Sequence, residues 1–153
     1  MSLKFKNYHV NVMAELLNIP LHGYQARKTT QFLKLLTSQA QILEEERNKM
    51  LLEVCEKDEK GEPILTITEN GKNKEYTLTD EAKKKFQEDY AKFVTEEFVL
   101  DILDSTKDAI EVAKKLILES EVDLDTQEKK IVYDEVCLVF ETCEELSVPK
   151  ATA

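Results

Sequence analysis

The sequence predicts one α+β domain, residues 1–153, that is predominantly α-helical. Residues 24–57 contain neither glycine nor proline, and their aliphatic side chains recur at helical spacing. Further along, an Asn-Gly pair separates two short segments rich in β-branched residues, which is the strongest local signal for a β-hairpin. We therefore expect one long helix packed with shorter helices, plus a small antiparallel sheet that contains the hairpin.

The chain starts with an alternation of apolar and basic residues, Leu-Lys-Phe-Lys at 3–6, which predicts a short edge strand. We expect Asn7 to cap a first helix that runs to about Leu17. Pro20 ends this helix, because the residue before a proline avoids helical geometry. The apolar face of the helix consists of Val10, Met13, Ala14 and Leu17.

The long helix, at about 24–57, extends roughly 50 Å at about 1.5 Å per residue. Its aliphatic residues follow alternating three- and four-residue steps, which is the spacing of a coiled-coil seam. Arg47 occupies the one seam position that is not apolar. Two interpretations stay open: Arg47 lies in solvent beyond the core, or it is an interface cation paired with a carboxylate. The apolar seam positions are Leu33, Leu36, Ala40, Leu43, Met50 and Val54.

A charged segment with a glycine and a proline, residues 57–63, ends the long helix. Residues 64–78 then predict the β-hairpin, with the Asn-Gly pair at its turn. A third helix follows, from a Thr79 or Asp80 cap to about Phe93. Its apolar stripe consists of Ala82, Phe86, Tyr90 and Phe93.

The last third of the chain predicts a strand and two helices. The strand covers 98–102, and we expect its neighbour to be either the hairpin or the amino-terminal strand. One helix begins at Asp104 or Ser105, and the other runs from about Thr126 to Leu146. The apolar face of the first is Ala109, Val112, Ala113, Leu116 and Ile117, and that of the second is Val132, Val136, Val139, Phe140 and Cys143.

The cysteines indicate a reducing compartment. Cys55, Cys137 and Cys143 are odd in number and form no CxxC pair, which disfavours a disulfide framework and a zinc knuckle. No apolar run reaches the roughly 20 residues of a membrane span. We therefore expect a cytoplasmic protein without a membrane partner. We also expect residues 1–3 to derive from a cloning vector and residues 149–153 to form a disordered tail.

Charge is unevenly distributed along the chain, whose net charge is −10. Residues 1–40 hold five basic residues and one acid, a net of +4. Residues 41–95 hold ten basic and fourteen acidic residues, a net of −4, and residues 96–153 hold six and sixteen, a net of −10. Because so acidic a segment repels phosphates, nucleic acid is disfavoured as a partner.

Catalytic and metal-binding motifs are scarce. With three glycines the chain has no GxxxxGK[ST], GxGxxG or GxSxG motif, and His9 and His22 lack the further ligands of a zinc site. Glu-x-x-Glu pairs at 53–56 and 141–144 have the spacing with which helical nucleotide pyrophosphatases hold Mg²⁺. Since one residue in five is acidic, solvated helix faces are the favoured interpretation of these pairs. We predict no enzyme, no cofactor and no metal site.

Basic residues cluster where the long helix begins, in the stretch GYQARKTTQFLKLL. Positive charges in a first turn oppose the helix dipole, at a cost of a few tenths of a kcal/mol each when exposed. An acidic partner, either the carboxy-terminal third or another molecule, offsets that cost; a plain solvated helix face is the alternative. The candidate interaction surface consists of Arg27, Lys28, Lys34 and Arg47.

A familiar order of segments accompanies this stretch. A short strand and helix lead to GYQARKTTQFLKLL, then to EEERNKMLLEVCEKDEKGEPIL, a hairpin, EEFVLDI and two closing helices. This order resembles a family of small proteins of unknown function from tailed phages and prophages of Gram-positive bacteria. The likeness is best over residues 4–65, looser over 96–146, and weakest in the hairpin. It implies a phage setting, without an activity or catalytic residues.

The leading hypothesis is a non-enzymatic phage or prophage accessory protein in the host cytoplasm that acts through protein–protein contact. A homo-oligomer is expected, because the seam of the long helix is too extended for one domain to cover. An alternative is a regulator or inhibitor whose acidic face mimics nucleic acid for a host protein. Lesser alternatives are a nucleic-acid binder that uses the basic cluster and a Mg-dependent nucleotide pyrophosphatase.

Overall fold

The computed structural model describes residues 2–67, 71 and 74–143. The predicted class, α+β and mostly helical with one long helix, is confirmed. No helix in this part of the chain is both long and apolar enough to cross a membrane. The predicted tail at 149–153 lies outside the described residues. The elements are β1 (Ser2–Lys6), α1 (His9–Leu17), α2 (Gly23–Val54), β2 (Leu65–Ile67), β3 (Lys74–Tyr76), α3 (Asp80–Val94), β4 (Glu97–Asp101), α4 (Lys107–Leu118) and α5 (Gln127–Glu141).

Contacts among the described residues divide the chain into two compact units. We call residues up to 40 together with residues from 96 onward the sheet unit, and residues 41–95 the hairpin unit. The first part of α2 belongs to the sheet unit and its last part to the hairpin unit. That the whole chain folds as a single domain stays a prediction.

The sheet unit contains an antiparallel pair, β1 with β4, in which Ser2 lies opposite Asp101. Of the two neighbours expected for β4, the amino-terminal strand is the correct one. Lys4 and Val99 lie opposite each other and are exposed. The alternate residues are buried, as the two-residue period of a strand requires: Leu3, Phe5, Phe98 and Leu100.

Three phenylalanine rings form the centre of the sheet unit. Phe5, Phe32 and Phe140 are each 0% exposed. The centroid of the Phe140 ring lies 5.4 Å from that of Phe5 and 6.5 Å from that of Phe32. Buried faces of α1, α4 and α5 surround the rings, and they include Met13, Leu16, Ile110, Ile117 and Val136. Five residues of the predicted apolar faces are only half-buried: Ala14, Val112, Leu116, Val139 and Cys143.

The buried stripe of α2 differs from the predicted seam. Leu36 is buried as expected, but its buried neighbours are Thr29 and Phe32, whereas Leu33 is half-buried. The seam prediction is wrong in this detail because it followed aliphatic spacing alone. The large Phe32 ring buries more apolar area than a leucine when it faces the core, and the helix is rotated accordingly.

Two predicted helix starts are wrong. The residue before α1 is Tyr8 rather than Asn7, and it makes no side-chain capping bond. The Asn7 side-chain oxygen instead accepts a hydrogen bond from a glutamine side chain of α2. The cap of α4 is Thr106 rather than Asp104 or Ser105. Its hydroxyl bonds to backbone groups of the preceding turn, which keeps those residues out of the helix.

Two predicted helix ends also shift. α2 ends at Val54, three residues earlier than predicted, because the Glu56 N–H donates to the Thr77 carbonyl at 2.8 Å and so joins the hairpin. α5 ends at Glu141. Its predicted end at Leu146 lies outside the described residues.

The hairpin unit contains the predicted β-hairpin. β2 pairs with β3 in antiparallel register, with Leu65 opposite Tyr76, so the hairpin is confirmed. Asn70, which the sequence places at its turn, lies outside the described residues. α3 follows with the predicted Thr79 cap, whose hydroxyl accepts the Ala82 N–H at 3.1 Å.

Burial is sparse in the hairpin unit. Among its described residues, the buried apolar side chains are Leu51 and Cys55, whereas the predicted seam residues Met50 and Val54 are half-buried. No residue of α3 is buried. The unit therefore has a much smaller core than the sheet unit.

Candidate functional site

Three of the predicted interaction residues lie in the sheet unit, on the first turns of α2. Arg27 and Lys34 are exposed, whereas Lys28 is half-buried. The Lys28 Nζ lies 5.6 Å from the centroid of the Tyr24 ring and 3.4 Å from Oε1 of Gln31, so its contacts are to its own helix. Within residues 2–67, 71 and 74–143, none of the three basic side chains forms an ion pair, although a carboxylate of the carboxy-terminal third was one expected partner.

The fourth predicted residue, Arg47, lies in the hairpin unit. It is exposed, and its guanidinium carbon lies 5.7 Å from the centroid of the Phe86 ring of α3, a cation–π distance. No carboxylate pairs with Arg47 in the described part of the chain. The arginine is therefore a solvent-accessible cation held over an aromatic ring. The apolar stripe of α3 was the signal for this ring, but sequence spacing did not connect it to Arg47.

A cavity of about 400 Å³, which we call the basic pocket, lies beside Arg47. In the part of the chain that the structure describes, its cationic lining residues are Arg47, Lys74 and Lys83, against one acid, Glu75. The side chains of Leu51, Tyr76, Leu78 and Phe86 supply apolar and aromatic walls. Lys74 and Lys83 were not singled out from the sequence, because they come from different elements and only the fold brings them to one cavity.

The hairpin unit also exposes large apolar side chains, which we call the apolar patch: Ile42, Leu52, Ile64, Leu65 and Ile67. Their exposed fractions range from 37% for Leu52 to 64% for Ile67. All three residues of β2 are exposed. The aromatic stripe of α3 is only half covered, although Phe86 stacks on Tyr90 with centroids 5.6 Å apart.

A polar cluster of Tyr8, His9 and Glu135 joins the start of α1 to α5 in the sheet unit; His9 is buried, whereas Tyr8 and Glu135 are half-buried. The Tyr8 hydroxyl lies 2.6 Å and 2.9 Å from the two carboxylate oxygens of Glu135. The Lys6 backbone N–H donates to Nδ1 of His9 at 3.0 Å, which leaves the ring proton of the neutral form on Nε2, 3.6 Å from the same carboxylate. Burial lowers the pKa of His9 against the opposing effect of Glu135, and burial with the Glu135 hydrogen bond raises the pKa of Tyr8 to about 12. Burial therefore favours the neutral form of His9, and Glu135 only partly offsets that effect.

The cysteines are free. Cys137 is buried, and burial raises the pKa of its thiol above the ordinary value. A thiol with a raised pKa is a weak nucleophile at neutral pH, because the thiolate is the reactive form. Cys55 is also buried, and its sulfur contacts the Leu52 carbonyl at 3.4 Å.

The chain matches no protein-family model, no curated protein and no solved structure in the comparisons made. The resemblance to phage proteins therefore stays a prediction.

Carboxylates do not converge on a metal site in the described residues. Glu53 and Glu56 are both exposed, and Glu56 lies beyond the end of α2, so the two do not share a helix face. Glu144 of the second predicted pair lies outside the described residues.

Proposed function

We propose that this chain is a non-enzymatic protein that acts by binding protein, and that its partner at the apolar patch is a second copy of itself. The observation that carries the proposal is the contrast between the two units. Nearly all buried apolar side chains belong to the sheet unit, whereas the hairpin unit buries Leu51 and Cys55 and exposes the five residues of the apolar patch among its described residues.

The energetics of the hairpin unit favour a covering partner. A two-stranded hairpin is marginally stable by itself in water and needs packing against further structure. Fully burying one leucine or isoleucine side chain contributes about 1.5–3 kcal/mol. Because each side chain of the apolar patch is about half exposed, each one that a partner covers favours association by roughly 1 kcal/mol.

The charges of the hairpin unit support a second copy of the chain as the partner at the apolar patch. Glu44 and Glu45 are exposed on α2, and Lys84 and Lys85 are exposed on α3. None of these four side chains forms an ion pair with another residue that the structure describes. A two-fold interface uses the same surface on both copies, so that surface must be complementary to itself. Because the hairpin unit exposes pairs of both signs, two copies can match the acidic pair of one with the basic pair of the other.

The cellular setting of the proposal is that of a phage or prophage accessory protein in the host cytoplasm. Its support is the resemblance carried by the order of segments from GYQARKTTQFLKLL to EEFVLDI.

The test is a molar-mass measurement by size-exclusion chromatography with light scattering on three proteins. Ile67→Glu places a charge in the apolar patch on a residue that is 64% exposed. Val99→Glu is the matched control, because Val99 is also a β-branched strand residue, is 52% exposed, and lies opposite Lys4 in the sheet unit. Circular dichroism checks that both variants keep the helical content of the parent.

We expect the parent and Val99→Glu to run as dimers at micromolar concentration and Ile67→Glu to run as a monomer. A parent that stays monomeric at the highest soluble concentration would overturn the proposal. Equal loss of the dimer in both variants would also overturn it, because the contact would then not be specific to the hairpin unit.

A further inference from the structure

We propose that the basic pocket binds a small organic anion, with a carboxylate or phosphate group attached to an apolar body. This inference concerns a ligand rather than a protein partner, and it stands on the geometry of Arg47, Lys74 and Lys83.

The first step is the charge of the pocket. Among the described residues, three cations and one acid line a single cavity in a chain whose net charge is −10. Arg47, Lys74 and Lys83 form no ion pair with any residue in the described ranges. Like charges gathered around one cavity repel each other, and an anion placed among them removes that repulsion. The charge pattern therefore selects an anionic ligand.

The second step is the wall of the pocket. Leu51 is 8% exposed, and Leu78 and Phe86 are half-buried, so part of the lining is of low polarity. Walls of this kind strengthen the field of neighbouring charges. They also provide contact area for an apolar portion of the ligand. A bare inorganic ion would leave that area uncovered.

The third step is the position of Arg47. Its guanidinium lies over the Phe86 ring at 5.7 Å, which restricts its orientation before a ligand arrives. A guanidinium presents two parallel donors that match a carboxylate or a phosphate, whereas an ammonium group acts as a point charge. Arg47 is thus the orienting group, with Lys74 and Lys83 completing the anion site.

The size of the cavity agrees with a small molecule. At about 400 Å³ the basic pocket lies within the roughly 300–1,000 Å³ that ligand pockets occupy. A cavity of about 310 Å³ in the sheet unit makes a useful contrast, because two lysines and three acids line it. Its charges are mixed, so it has no preference for an anion.

The experiment is isothermal titration calorimetry at low salt, in which phenyl phosphate, inorganic phosphate or phenol is titrated into the protein. Phenyl phosphate carries both the anion and the apolar body, and each of the other probes carries one of them. We expect phenyl phosphate to bind saturably and more tightly than inorganic phosphate, and phenol not to bind. Arg47→Gln and Lys83→Gln should each weaken binding about tenfold, the scale of a lost charged hydrogen bond.

Arg27→Gln is the matched control, since Arg27 is also an exposed arginine of α2 but lies outside the pocket. The dissociation constant of Arg27→Gln for phenyl phosphate should equal that of the parent protein. Binding that weakens equally in Arg27→Gln and Arg47→Gln overturns the inference, because it then reports overall charge. Absence of saturable phenyl phosphate binding, or equal affinity for inorganic phosphate, overturns it as well. Repeating the titration on Ile42→Glu separates the pocket from self-association, because Ile42 belongs to the apolar patch but does not line the pocket, so a variant that no longer self-associates should bind equally well.

Discussion

The Phe140→Ala substitution is the sharpest test of the sheet-unit core. Phe140 is 0% exposed and its ring contacts those of Phe5 and Phe32, with centroids 5.4 Å and 6.5 Å away. Replacing a buried phenylalanine by alanine costs about 3–5 kcal/mol through lost burial and the cavity left behind. Because the ring also takes part in two aromatic pairs, we expect a loss in the upper part of this range.

Urea unfolding followed by circular dichroism measures this loss. The free energy of unfolding of a small protein falls by roughly 1–3 kcal/mol per molar urea. Dividing the expected loss by this slope predicts that the urea midpoint falls by about 2 M. Protein concentration must be held constant, because self-association adds to apparent stability.

The matched control is Leu138→Ala on the same helix. Leu138 is 49% exposed, so its truncation should change the free energy of unfolding by about 0.5 kcal/mol or less. Equal losses in the two variants, or a loss below about 1.5 kcal/mol for Phe140→Ala, would refute the assignment of the buried face of α5.

Two further predictions concern the polar cluster of Tyr8, His9 and Glu135. Tyr8→Phe removes the one hydroxyl proton that is shared between the two carboxylate oxygens of Glu135, 2.6 Å and 2.9 Å away, and should lower the free energy of unfolding by about 1.5–3 kcal/mol, as measured by urea titration. Stability should fall as pH drops below the ordinary histidine pKa of 6.5, because unfolded chains then bind a proton that folded His9 resists. This pH-dependent loss of stability should be smaller in His9→Gln. If His9→Gln and the parent lose stability equally as pH falls, groups other than His9 cause the loss.

Features set by neighbouring residues could be predicted from the sequence. The predicted Thr79 cap holds, because a capping bond joins a side chain to a backbone N–H only three residues away. The last helix begins close to the predicted Thr126, whose hydroxyl makes the same kind of bond with the Lys129 N–H. The hairpin holds for the same reason, since its two strands are adjacent in the chain.

Features that depend on distant residues could not be predicted. Nothing local distinguishes β1 from the hairpin as the neighbour of β4. The Tyr8–Glu135 contact joins residues 127 positions apart, and no spacing rule points to it. Aliphatic spacing also favoured Leu33 for the core of α2, whereas tertiary packing selected Phe32.

The candidate site shows the same division. Arg47 stood out because it interrupts an apolar seam, but its contact with Phe86 and the convergence of Lys74 and Lys83 arise only when α2, the hairpin and α3 pack together. The basic cluster at Arg27 was more conspicuous in the sequence and contributes no residue to the basic pocket.

The most direct measurement of the central claim is hydrogen–deuterium exchange at low and at high protein concentration, resolved by peptide. If a second copy covers the apolar patch, backbone amides of residues 64–67 and 74–77 should exchange more slowly at high concentration. Amides of β4, in the sheet unit, should exchange at the same rate in both samples. Exchange in the hairpin that is independent of concentration, or protection confined to the sheet unit, would contradict association through the hairpin unit.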